Sequence, residues 1–324
     1  MYNCFLLPFL HIGSFLLPTY GMLAATGMLV GFFILRADLR RRGIDVDPAS
    51  ILGVTGIAGL AGARLYHLLE SPSEFFADPI HLLFSQTGLA WFGGFIGGFI
   101  ALFFLARHYK LPMLLMCDIC SPAAAMGYGF GRIGCLLSGD GDYGTPTSLP
   151  WGMSFPNGIV PTTEHVHPTP IYEFLAALVI FYVLWKIGAR YVKRPAESAV
   201  KNSGEMRATG VEKETADNAA AGSARITAAS SARATKKKTK REKAKDSNSA
   251  PAASPFPAPP GKPFGIVFAY YLLLSGAARF LVEFIRINPR ILFGMSNAQV
   301  VALGCTLAGA FLLYSLRSKQ LQVS

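Results

Sequence analysis

Charge is what this chain has least of. Only 15% of its 324 residues are Asp, Glu, Lys or Arg, while 52% are hydrophobic and the mean hydropathy is +0.38. That balance excludes an ordinary soluble protein of this length and points to an integral membrane protein. Cysteine is scarce as well: Cys4, Cys117, Cys120, Cys135 and Cys305 are odd in number and mostly lie inside apolar segments, which excludes a disulfide framework. The Cys117-Asp118-Ile119-Cys120 stretch has redox spacing without a thioredoxin-like pattern around it, so packing explains it better. Histidines number six, and the loop pair His165 and His167 is an incomplete ligand set, so neither a metal nor a cofactor is expected. An internal repeat of the kind that marks many transporters is missing. Met1 to Phe15 lacks both a charged start and a small-residue cleavage site, so no cleavable signal peptide is expected.

What the chain does have is apolar length. Blocks at Phe15 to Leu35, Ile51 to Leu69, Leu89 to Ala106, Leu111 to Leu137, Pro170 to Ile187, Phe264 to Phe284 and Met295 to Leu316 approach or exceed the ~20 residues a spanning helix needs. They predict an all-α membrane protein of about seven transmembrane helices. Basic residues follow the first block (Arg36 to Arg42), the third (Arg107, His108, Lys110), the fifth (Lys186, Arg190, Lys193, Arg194) and the last (Arg317, Lys319). Under the positive-inside rule this puts the N-terminus outside and the C-terminus in the cytoplasm. The formal charge of +11 is thereby explained by topology and anionic lipid, not by nucleic acid.

Domain organisation follows from the same pattern. Residues 1–192 hold spans one to five with an extracytoplasmic loop at 138–168, and residues 263–324 hold spans six and seven. Between them, 193–262 is rich in Ala, Ser, Lys and Glu and contains ATKKKTKREKAK, so it reads as a disordered, basic cytoplasmic insert with too little apolar surface to order itself. A tolerated insertion accounts for it better than a tether to lipid or ribosome, because loops absorb inserts at small entropic cost.

Polar residues that topology does not explain gather in the outward segments. They include Tyr20-Gly21, facing either the headgroup layer or a polar cleft, the paired Gly93-Gly94, and GYGFGRIGCLLSGDGDYG from Gly127 to Gly144 with the loop after it. In ARFLVEFIR, Arg279 and Glu283 are four apart and share a helix face that Arg286 extends. Each arginine alone reads as a snorkelling interfacial residue. Taken together with Arg132, three arginines on one leaflet suit an anionic phosphate ligand, whose oxygens match the guanidinium fork.

These residues resemble the prolipoprotein diacylglyceryl transferase family. The family signature Gly-Arg-Ile-Gly-Asn, running on to an acidic residue and a glycine, is similar to Gly131, Arg132, Ile133, Gly134, Cys135, Asp140 and Gly144. Tyr20-Gly21, Gly62 with Arg64, Arg279-Phe280 with Glu283 and Arg286, and Gly294 with Ser296 and Gln299 resemble its other motifs in order. The chain departs from the pattern at Phe92, where the family has a histidine, at Cys135 and Ser138, where it has asparagines, and at Asp140 for its glutamate.

The resemblance implies a bacterial cytoplasmic-membrane enzyme whose partners are phosphatidylglycerol and preprolipoprotein signal peptides with a lipobox cysteine. The cysteine thiol attacks the glyceryl carbon bearing the headgroup phosphate, a thioether forms and glycerol phosphate leaves. Arg132 and Arg279 would meet the developing phosphate charge. Tyr20, Gly93, Gly94, Gly134, Gly144, Glu283 and Arg286 would bind substrate. A free thiol of pKa ~8.5 is short of thiolate at pH 7 by ~2 kcal/mol. Either His167 or Asp140 takes its proton, or the positive field lowers the thiol pKa without a dedicated base. The departures keep a second reading open, a non-catalytic relative that binds phospholipid or lipoprotein precursor.

Overall fold

The structure, a computed structural model, describes residues 8–12, 15–70, 91–191, 263–290 and 294–321. In chain order their helices are α1 (Thr19–Arg42), α2 (Pro48–Glu70), α3 (Trp91–His108), α4 (Met113–Ser138), α5 (Thr169–Tyr191), α6 (Ile266–Val282) and α7 (Asn297–Leu321). Six of them are long and apolar enough to cross a membrane, and α3 is the shorter apolar helix. The chain is thus the mostly helical multi-pass protein that its hydropathy predicts. The expected insert at 193–262 and the start of the third span at Leu89 lie outside the described residues.

Helix ends follow local chemistry more closely than apolar runs do. The first span is expected from Phe15, but Phe15–Pro18 forms strand β2, paired antiparallel with β1 (Phe9–Ile12), and α1 starts only at Thr19. Pro18 biases Leu17 to extended backbone, and a short apolar run has no period that distinguishes strand from helix. At its other end α1 stops on Gly43, whose φ of 67° is the left-handed cap conformation. Arg40, Arg41 and Arg42 in that last turn meet the negative end of the helix dipole. The start of α2 has Pro48 in the first turn and an Asp47 carboxylate that accepts the N–H groups of Ala49 at 3.1 Å and Ser50 at 3.2 Å.

The hub is α4, which packs against α1, α3, α5 and α6. Of its most apolar stretch 61% is buried, against 28% or less in the other spans, whose large outward side chains such as Ile57 and Phe311 suit contact with lipid. A separate close pair is α2 with α3. Gly62 and Gly93 approach so tightly that a methyl on either would strike the other's carbonyl oxygen. One end of the bundle is closed by Leu35, Leu39, Ile51, Leu105, Leu115 and Ile119. The basic ends of α1 and α5 meet there, since Arg41 donates to the Trp185 carbonyl at 3.1 Å and lies 4.0 Å over its ring.

The other end carries a cap. Strands β3 (Met153–Phe155) and β4 (Thr162–Val166) pair antiparallel, and single bridges join Pro146 to Val166 and Gly144 to Arg286. Tyr143 stacks on Phe155 with ring centres 4.4 Å apart, over Leu136 and Val166. The two small hairpins are additions to an all-α expectation, and the second lies inside the expected loop at 138–168.

Candidate active site

A glutamate organises the site. Glu173, near the start of α5, is buried, and all three arginines singled out in the sequence converge on it. Arg279 from α6 donates to Oε1 at 2.6 Å, while Arg132 from α4 and Arg286, just past α6, approach Oε2 at 3.4 and 3.5 Å. The Tyr128 hydroxyl also donates to Oε1, at 2.7 Å, and its ring lies 5.2 Å beneath the Arg132 guanidinium. A carboxylate at this depth persists only when paired, and here it is paired several times over.

Two further carboxylates complete the cluster. Glu283, buried in a 3-10 turn at Glu283–Ile285, pairs with Arg279 at 2.9 Å and Arg286 at 3.7 Å, as the four- and three-residue spacings predict. It also accepts from Asn288 and, at 2.8 Å, from the Ser296 hydroxyl. Asp142 lies between Arg132 and Arg286, with one oxygen on each. Three arginines therefore face three carboxylates, so the cluster is charge-balanced and not the net positive patch that the arginines alone suggest. Arg286 Nε and Nη1, Glu173 Oε2 and Glu283 Oε2 are buried and are held by ion pairs without a well-aligned hydrogen bond.

The two aspartates of the following turn behave differently. Burial raises the Asp142 carboxyl, but Arg132 and Arg286 outweigh it and hold the group below the usual carboxylate range. Asp140 is raised, by burial first and by Asp142 as well, against a hydrogen bond with Cys135. Arg132 is held by Asp142 and not by Asp140, whose Oδ1 instead accepts the Asp142 N–H at 3.2 Å.

Other expected residues fall in three places. Gly134 seats Tyr20, since a methyl there would lie 3.0 Å from the tyrosine ring, and Tyr20 is within electrostatic reach of Cys135, Arg132, Asp140 and Asp142. Gly144 is wedged: a methyl would meet the Ile285 carbonyl at 2.6 Å and the His167 Cβ at 2.7 Å. The His167 ring turns to the Tyr172 hydroxyl at 3.3 Å, which also accepts from the exposed Trp151 at 2.7 Å. Gly93 and Gly94 have Gly62, Tyr66, Gly59 and Ala63 as nearest neighbours, so the structure assigns them to the contact between α2 and α3.

A model of the prolipoprotein diacylglyceryl transferase family matches residues 8–207 and 256–315. The chain belongs to that family. It is 34% identical over 195 residues to a phosphatidylglycerol--prolipoprotein diacylglyceryl transferase of Geobacter sulfurreducens, covering 58% of this chain and 72% of the relative. A protein of the same name from Clostridium tetani is 33% identical over 169 residues, covering 51% of this chain and 68% of its own length. Within this transferase-family chain, sequence reasoning found Arg132, Arg279, Arg286 and Glu283 but overlooked Glu173, Asp142 and Tyr128 as site residues. The signal for Glu173 was present: a carboxylate early in a spanning helix is costly enough to demand a partner.

Proposed function

We propose that the chain transfers the diacylglyceryl group of phosphatidylglycerol to the lipobox cysteine thiol of prolipoproteins, in the bacterial cytoplasmic membrane and at its outer leaflet. The observation that carries this reading is the convergence of Arg132, Arg279 and Arg286 on Glu173 at one end of the bundle. Each guanidinium has five donors in a planar fork, so arginines held in place by carboxylates retain donors for phosphate oxygens. As sulfur bonds to the glyceryl carbon and the carbon–oxygen bond breaks, negative charge grows on the departing glycerol phosphate. Fixed guanidinium groups meet that charge without reorganising. Tyr20, Gly134, Gly144, Glu283 and Arg286 shape the lipid site, and Asp140 or His167 takes the thiol proton. Asp140 is the acceptor this reading favours, because its carboxyl lies beside the cluster and burial, with Asp142, raises it above the ordinary carboxylate range.

The test is transfer of labelled diacylglyceryl from phosphatidylglycerol to a lipobox peptide by the purified full chain. Thioether formation is expected. Lipid or peptide binding without transfer would favour the non-catalytic relative, which Phe92 and Cys135 keep in view. Orientation is part of the proposal: with the basic helix ends in the cytoplasm, reporters fused between residues 140 and 167 should read as extracytoplasmic and reporters between 193 and 262 as cytoplasmic. The opposite readings would move the site to the inner leaflet.

A further inference from the structure

Asp142 is the odd member of the charge cluster. The side chains of Glu173 and Glu283 are 2% and 0% exposed, whereas that of Asp142 is 28% exposed. Glu173 is further held by Tyr128, and Glu283 by Asn288 and Ser296. Asp142 instead sits on the turn after α4, next to Gly141 with its φ of 92°, and its carboxylate oxygens are divided: Oδ2 accepts from Arg132 and Oδ1 from Arg286. A monoanion offering one oxygen to each of two guanidinium groups is also what a phosphodiester is, with one negative charge and two non-bridging oxygens.

We propose that Asp142 is a built-in stand-in for the lipid phosphate: it holds Arg132 and Arg286 in the free protein, and the phosphate of the incoming lipid displaces it. This rests on the diacylglyceryl-transfer reading and adds a residue that sets the affinity of the site. The backbone stays where it is, because the Thr169 hydroxyl donates to the Asp142 carbonyl at 2.6 Å and Gly144 is wedged two residues on. Only the two side-chain torsions turn, moving the carboxylate toward solvent. Arg286 keeps Nη1 and Nε toward Glu173 and Glu283 and presents Nη2 to a phosphate oxygen where Asp142 Oδ1 was.

Anion for anion, the exchange is balanced in charge at the binding step. It tips during the reaction, because cleavage of the carbon–oxygen bond takes the phosphate from one negative charge to two, and a carboxylate carries at most one. The arginine pair therefore prefers phosphate over Asp142 most strongly as the leaving-group charge develops, which is where binding accelerates a reaction.

The test uses the full chain in detergent micelles, soluble glycerol phosphate as probe, and calorimetry on wild type, Asp142→Asn and Asp142→Ser, with folding checked by thermal unfolding. Both variants lack the competing charge, so affinity for glycerol phosphate should rise about tenfold, as expected when a non-competent resting state is removed. The KM for phosphatidylglycerol should fall in parallel. Unchanged or weaker binding in the folded variants overturns the proposal and makes Asp142 a strut that positions the arginines. Should neither variant fold, wild type with isotope-labelled aspartate is titrated with glycerol phosphate and followed by infrared spectroscopy. A shifted aspartate carboxylate stretch is expected, and an unchanged one overturns displacement. Tighter binding in a protein whose wild type makes no thioether would sink the transfer reading and leave displacement standing. Thioether formation with weaker binding in the variants does the reverse.

Discussion

Asp118 in α4 accepts the backbone N–H of Gly265 at 2.7 Å, and its second oxygen takes that of Phe268 at 2.8 Å. The start of α6 is therefore capped by a carboxylate from another helix, where most helices use a residue of their own. Gly265 adopts a φ of 100°, so the chain enters α6 through a turn that most side chains disfavour. The buried carboxylate fixes where α6 begins against α4.

Removing that cap should cost stability more than chemistry. Asp118→Ala leaves two N–H groups without their acceptors at a buried position, a loss of about 1–3 kcal/mol per unsatisfied group. Asp118→Asn keeps one acceptor oxygen and should lose less. Thermal unfolding in detergent measures both, and an unchanged midpoint for Asp118→Ala would show that the contact contributes nothing.

The same anchor bears on the insert. Because α4 itself positions Gly265, joining Arg194 to Pro263 through a short flexible linker should leave lipid transfer within about twofold of the full chain, since loop length alone changes closure entropy little. A shortened protein that inserts and folds normally yet fails to lipidate the peptide would give the insert a part in the reaction.

Much of this arrangement is legible in the sequence, and what is not has a common cause. Arg279, Glu283 and Arg286 share a helix face by spacing alone, so their pairing follows from period. Asp142 and Glu173 lie on different segments from the arginines they meet, and no local period connects a turn after α4 with the start of α5. Gly93 and Gly94 read in sequence more as close helix contacts than as ligand contacts, with both roles open because small residues serve both, and their approach to Gly62 and Gly59 fits the first. The strand at Phe15–Pro18 escaped because an apolar run that short has no distinguishing period.

Fork geometry predicts which arginine variants fail. Arg132 serves Asp142, Glu173 and, at 3.9 Å, the Cys135 sulfur, and Arg279 bridges Glu173 and Glu283. An ammonium cannot span two carboxylates and a phosphate in one plane. Arg132→Lys and Arg279→Lys should each lower kcat by about 10²–10³, the scale of one lost donor to a developing anion. Full activity in both folded variants would remove these arginines from the chemistry.

Glycine at 93 should behave as a packing residue. A Gly93→Ala methyl would enter the Gly62 carbonyl and the Tyr66 side chain, forcing α2 and α3 apart at about 1–3 kcal/mol. The expected sign is a lower unfolding midpoint with an unchanged KM for phosphatidylglycerol in the protein that remains folded. A raised KM at normal stability would return this glycine to the lipid site.

Ser296 and Gln299 allow the cap of α7 to be separated from the charge cluster. Gln299 N–H donates to the Ser296 hydroxyl at 3.1 Å, and Ser296 N–H donates to the Gln299 side chain at 3.0 Å, the reciprocal pair of a capping box. Ser296 alone reaches further, donating its hydroxyl to Glu283 at 2.8 Å. Ser296→Ala and Gln299→Ala should each cost about 1 kcal/mol through the helix start. Only Ser296→Ala also withdraws a donor from Glu283, leaving that carboxylate to draw harder on Arg279 and Arg286. The transfer assay should therefore separate them, with kcat/KM falling several-fold in Ser296→Ala and staying near wild type in Gln299→Ala when both are measured well below their unfolding midpoints. Equal losses would mean that Ser296 acts only through the helix, and that the position of Glu283 is set by Arg279 and Arg286 without it.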